Sequence, residues 1–179
     1  MPITPLQEIT DSFGLPDAPK DTVIPKERVV QWMALDDLET LGALHAFLSK
    51  GNYLDRVSPS LSREDLAGFA MRYFEKCLRQ NQEGEWAHGR YAAAWDIASW
   101  FGALWKRGAA ESALRGQIKD WLAVLYKGAD AELRRCIVDG ALEHMFENNA
   151  VRTFFAEWKA DPELATAFAE ATEWSTKRP

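Results

Sequence analysis

Three histidines, His45, His88 and His144, are the side chains best suited to acid–base or metal chemistry near neutral pH. None lies in an HExxH or HxxxH pattern or in a Cys/His cluster, so a metal site would need ligands from separate elements. His144, in ALEHMFEN, aligns with Leu133 and Ile137 on a helical wheel, and His45 sits inside GALHAFL; both read as structural histidines. His88 follows Trp86 near an expected helix start and reads as the accessible one. With Trp86, Arg90 and Trp100 it outlines a candidate pocket for a small ligand or substrate.

Carboxylates supply a second candidate. Glu132, Asp139, Glu143 and Glu147 fall along one side of a helix expected over 131–147, with Arg135 able to pair with Asp139 at i, i+4. A solvated face is the ordinary reading; the functional one is an acidic strip that docks a basic partner, contributing on-rate and selectivity more than affinity. Glu143 and Glu147, one turn apart, lack the polarising neighbour that acid–base catalysis requires. Cys77 and Cys136 lie inside apolar helical patterns without CxxC spacing and away from any histidine. They read as buried reduced thiols suited to a reducing cytosol, not as a disulfide or nucleophiles. The phosphate-binding patterns GxxxxGK[ST] and GxGxxG and the nucleophile patterns GxSxG and SxxK are absent. No catalytic residue, metal ligand or cofactor is assigned, and the expectation leans away from an enzyme.

The densest aromatic stretch is GRYAAAWDIASWFGALWK, Gly89 to Lys106, with Trp95, Trp100 and Trp105 on one helix. On a wheel of roughly 100° per residue, Tyr91, Ala94, Trp95, Ile97, Ala98, Phe101, Gly102, Leu104 and Trp105 share about half the circumference. This predicts a central helix with Trp95 and Trp105 in the core. Trp100 falls near the edge of that arc, under a neighbouring helix or at a groove.

Helix signals recur along the whole chain. Five of the eight prolines fall within the first 25 residues, so 1–25 reads as an irregular lead-in arm with one short helix after Thr4-Pro5, and 26–179 as a single helical domain. Helices are expected from Pro25 or Lys26, from the Asp36–Glu39 capping region to Gly51, from Ser62–Asp65 to Asn81, and from about Trp86 to Arg107. Others follow from Ala110 to Lys127, from Asp130 to Glu147, through Phe154–Trp158, and from Asp161-Pro162. Lys50-Gly51, Arg107-Gly108 and Lys127-Gly128 carry the cation and glycine favoured at helix C-termini. No period-two run or hairpin turn appears. The fold expected is all-α, an irregular stack of antiparallel helical hairpins, HEAT-like or bundle-like, with about seven or eight helices.

Composition narrows the partners. The 179 residues carry 21 basic and 27 acidic side chains, a formal charge of −6, and 47% are apolar. That balance disfavours nucleic acid, whose phosphates call for a basic face; a helical nucleic-acid-processing stack would have to assemble one from Arg63, Arg72, Arg79 and Arg90. No apolar run reaches the roughly 18 residues of a membrane span, and the N-terminus shows no signal-peptide pattern, so a cytoplasmic protein of a bacterial kind is expected. An aromatic face built from Phe154, Phe155, Trp158, Phe168 and Trp174 is either closed internally or shared in a homodimer, leaving monomer and dimer both open.

The stretch DWLAVLYKGADAELRRCIVDGALEHMFEN, Asp120 to Asn148, followed by FFAEWKADPEL, resembles a kind of bacterial all-helical protein of which some members are immunity partners of toxins. The resemblance covers about residues 60–175 and includes no motif with a chemical role, so no functional residue is carried over. It implies a non-enzymatic module whose partner is another protein, such as a toxin domain.

Overall fold

The computed structural model describes residues 3–14 and 22–177, and it is all-α, 77% helical. Packing divides the chain into two compact units, 1–89 and 90–179.

In the first unit, the Thr4 side chain accepts a hydrogen bond from the Gln7 amide (3.2 Å) and Pro5 opens α1 (Pro5–Phe13), as the Thr-Pro pair predicts. Ile24–Pro25 (β1) runs parallel to Val57–Ser58 (β2), a ladder too short for any sequence period to announce. After β1 comes α2 (Lys26–Met33), which buries Val29 and Trp32. Asp37 caps α3 (Leu38–Leu48) by accepting from the Thr40 amide at 2.8 Å. This helix is buried on nearly every side, from Leu38 to Leu48, because α1, α2 and α5 (Arg63–Gln80) all pack on it. Phe13 of α1 stacks on Phe47 of α3, ring centroids 5.3 Å apart. Gly51 does not close α3 as expected; it opens the short α4 (Gly51–Leu54). The Ser62/Asp65 capping box starts α5, and Asn81, at φ 48°, ends it.

Residues 81–89 are irregular, although the sequence places a helix start at Trp86. Tertiary hydrogen bonds take precedence there. The Glu39 carboxylate accepts from the Trp86 and Ala87 amides at 2.9 and 3.1 Å, and the Tyr73 hydroxyl donates to the Trp86 carbonyl (3.3 Å) while accepting from the His88 amide (3.2 Å). The segment crosses α3 at Gly42, where a Cβ would stand 2.3 Å from the Trp86 carbonyl oxygen, so only glycine permits the approach.

In the second unit, α6 (Arg90–Lys106) is followed by a 3₁₀ turn (Gly108–Glu111) that begins with Gly108 at φ 76°, and by α7 (Ser112–Lys127), closed by Gly128. Asp130 caps α8 (Ala131–Cys136) through the Leu133 amide (2.8 Å). The chain then passes without a break through a π-helical stretch (Ile137–Leu142) into α9 (Glu143–Phe146), making one rod over 131–146. Next come α10 (Asn149–Phe154), a 3₁₀ segment (Ala156–Ala160) and α11 (Pro162–Lys177). The π-helical stretch packs on α6, and α11 covers α9. Phe155 and Trp158 meet edge-to-face at 5.0 Å, and Phe146 lies 5.1 Å from Phe168. Of the terminal aromatic face, Phe155, Trp158 and Phe168 are therefore closed inside the unit, while Trp174 stays outside. Among the described residues, seven α-helices reach eight residues or more, and the 131–146 rod is an eighth long element, in line with the expected number.

Candidate functional site

The packed side of α6 consists of Ala93, Ala94, Ile97, Phe101 and Leu104, an arc of roughly 100°. Trp95 lies well outside it and is 55% exposed, which corrects the expectation that this indole belongs to the core. The reason is the closeness of the helix crossing. Gly140 of the π-helical stretch faces Ala94, and a Cβ on Gly140 would stand 2.7 Å from the Ala94 Cβ. Contact so tight is made by small residues and leaves no room for an indole between the rods. Trp105 is half-buried, stacked on Phe101 (6.0 Å) and lying under the Arg115 guanidinium at 4.5 Å. Trp100 is half-buried as well.

Outside the crossing, Trp95, Ala98, Ser99 and His144 line an open cleft of about 330 Å³. The His144 ring stands nearly perpendicular to the Trp95 indole, 6.4 Å between centroids at 83°, and its Nδ1 is 3.5 Å from Glu147 Oε1. Tyr91, one turn before Trp95, is 46% exposed. Partial burial, with Cys136 and Asp139 nearby, raises the pKa of its phenol. Sequence periodicity puts His144 in line with Leu133 and Ile137, which are buried, yet His144 is only half-buried. The π-helical stretch explains the difference: its wider turns rotate every later residue relative to a 3.6-residue helix and bring His144 to the cleft.

The same rotation dissolves the acidic strip. Glu132 and Glu147 are exposed, Asp139 is half-buried, and Glu143 is buried at 5% exposure, so the four carboxylates do not share one solvent face. Glu132 lies 3.4 Å from Arg90, whose side chain is largely covered. Of the residues outlining the expected pocket, Trp86 and His88 belong to the first unit, and Arg90 and Trp100 to the second. His88 is half-buried in an aromatic cluster, 6.3 Å from His45, which itself stacks on Tyr73 at 4.8 Å. Three of the four arginines considered for nucleic acid are engaged locally: Arg72 donates to the Met33 and Leu35 carbonyls, Arg79 to Glu75, and Arg90 to Glu132. Cys77 and Cys136 are free and buried, as expected, and burial pushes the Cys136 thiol up to about 12, far from the thiolate a nucleophile needs.

Trp95, Ser99 and His144 thus meet in one cleft that the sequence does not announce, with Tyr91 one turn before Trp95. The signal for the close crossing lies in the small residues Ala93 and Ala94 with Gly140. Among the described residues, no three His, Cys, Asp or Glu side chains are grouped to hold a metal ion, and no helix is long and apolar enough to cross a membrane. Comparison with protein-family models, curated proteins and solved structures returns no match to this chain.

Proposed function

We propose that the protein is a binding module for another protein, and that it docks a basic segment of that partner on the α6 face bearing Tyr91 and Trp95. The observation that carries this reading is an indole 55% exposed beside a half-exposed tyrosine, one turn apart on a rigid helix and next to a cleft. Tryptophan and tyrosine are the residues most enriched among interface hot spots, because a large, stiff ring is desolvated there at little entropic cost. Asp139 lies near Tyr91, where Arg90 and Arg135 are close as well, and Glu147 lies near His144. The formal charge of −6 over the chain is what favours a basic partner. Neutralisation of a toxin domain, as an immunity protein does, is the narrower form of the same reading.

A photo-crosslinking amino acid at position 91, incorporated in cells of the source organism, tests it. The expected result is a discrete crosslinked protein from position 91 that is absent when the group is placed at position 174, an exposed aromatic site on α11. Identical products from both positions, or none from position 91, would remove the docking face. The hydroxyl of Ser99 and the imidazole of His144 in one cleft favour a second reading, a small-ligand or enzyme site, since the volume lies at the low end for such pockets. A saturable thermal shift with a small molecule, lost in Ser99→Ala, would move the assignment there.

A further inference from the structure

We infer that the segment 86–88 is an acid-released clasp: a proton taken up by the ring cluster beneath it detaches the segment from α3 and α5 while both helices stay folded. The segment is irregular and is held by partners on those two helices. The Glu39 carboxylate of α3 accepts from the Trp86 and Ala87 amides. The Tyr73 hydroxyl of α5 donates to the Trp86 carbonyl and accepts from the His88 amide. The Trp86 ring rests against Phe47 of α3, 5.6 Å between centroids.

Beneath these bonds His45 lies flat on Tyr73, 4.8 Å away at 25°, with Phe74 edge-on at 4.9 Å and His88 edge-on at 6.3 Å. Tyr73 therefore has two tasks, since its ring covers one face of His45 and its hydroxyl pins the segment. In water both imidazoles would take up a proton near pH 6.5. Here a charge on His45 would be shielded from water by three rings, and a second charge on His88 would stand 6.3 Å from it. Burial first, and then His88, accordingly lower the His45 pKa to about 4. α3 is buried along most of its length and α5 buries Tyr73, Phe74, Cys77 and Leu78, so separating the helices would open the core of the unit. Lifting the segment removes His88 and admits water at much smaller cost.

The other titratable groups around the cluster are Glu39 on α3 and the buried Cys77, one turn beyond Tyr73 on α5. Arg72 and Lys76 of α5 are held by Asp36 at 3.6 and 2.6 Å, and Arg90 by Glu132 at 3.4 Å. Glu83 and Glu85, before the clasp, are exposed. Of the charged groups, His88 is the one that acts on His45.

The test is amide hydrogen exchange of the full ¹⁵N-labelled chain from about pH 7 to about 4, with rates corrected for the intrinsic pH dependence of exchange. The Trp86, Ala87 and His88 amides report the clasp, and those of Phe74 and Leu78 report opening of the core. The clasp amides are expected to open more readily than the α5 pair at every pH. Their opening constants are expected to rise by up to roughly tenfold per pH unit between about 6.5 and 4, and then to level off. His45→Phe, which keeps a ring on Tyr73, flattens that rise. Glu39 holds two of the same amides, so a rise that persists undiminished in His45→Phe would assign the release to the carboxylate and overturn the inference. Opening constants equal to those of Phe74 and Leu78 would overturn it too, because the segment would then leave only when the core opens. The imidazole C–H signals of the wild type supply a reading that needs no variant: a His45 ring titrating near 6.5 under a still-protected segment contradicts the clasp. The clasp does not depend on the docking reading, and crosslinking at position 91 is indifferent to its outcome.

Discussion

His45 stacks on Tyr73 with Phe74 edge-on at 4.9 Å and His88 6.3 Å away, an arrangement that leaves little room for charge. Burial, aided by the proximity of His88, lowers its pKa to about 4, against about 6.5 in an unfolded chain. The unfolded state therefore binds more protons between those values. Stability is fully present above pH 6.5 and is lost as the pH falls through the window to about 4, by up to about 3 kcal/mol. Urea unfolding across that range is expected to show the loss in the wild type and a markedly smaller one in His45→Phe; parallel curves would mean that the imidazole is not held neutral. Trp95 illustrates another residue-scale effect. A hydrophobicity wheel counts an indole as apolar and assigns it to the core, but it takes no account of how closely two rods approach. Where Ala94 meets Gly140, the buried arc is narrow, and Trp95, about 100° round the helix from Ala94, falls outside it.

At the scale of elements, helix starts were legible because each is a local chemical event. Thr4-Pro5, Asp37, the Ser62/Asp65 box and Asp130 all cap where their residue types predict, through hydrogen bonds to amides no more than three positions away. What was not legible depends on distant partners. The 81–89 segment is held from α3 by Glu39, more than forty residues earlier, and the π-helical stretch leaves no local mark beyond Gly140. That stretch turns His144 away from its expected face, whereas the exposure of Trp95 follows from the close crossing at Ala94 and Gly140. Substituting Gly140→Ala should force α6 away from the rod and cost about 1–3 kcal/mol by overpacking. Gly116→Ala, on α7 with nothing within 4 Å of the added methyl, should instead stabilise by about 0.5–1 kcal/mol. Denaturant unfolding of the two variants checks the pair, and equal effects would mean that the crossing is looser than described.

For the molecule as a whole, the charge is unevenly divided. Residues 1–89 carry 14 acidic against 9 basic side chains, whereas 90–179 carry 13 against 12. The overall acidity that pointed to a basic partner therefore resides mostly in the unit that does not hold Trp95. Selectivity at the docking face has to come from local groups, Asp139 and Glu147 together with Arg90 and Arg135, which act over about one Debye length. Nothing in the sequence marks the division at Gly89, because α6 begins at the next residue and the preceding loop lacks the composition of a linker. The docking face requires above all that Trp95 be a surface group. Fluorine NMR of the chain labelled with fluorotryptophan, with a soluble paramagnetic gadolinium chelate added, measures this directly. The Trp95 signal should broaden as the Trp174 signal does, while those of Trp32 and Trp158, 2% and 3% exposed, stay sharp. A Trp95 signal as protected as those two would return the indole to the core and contradict the docking face.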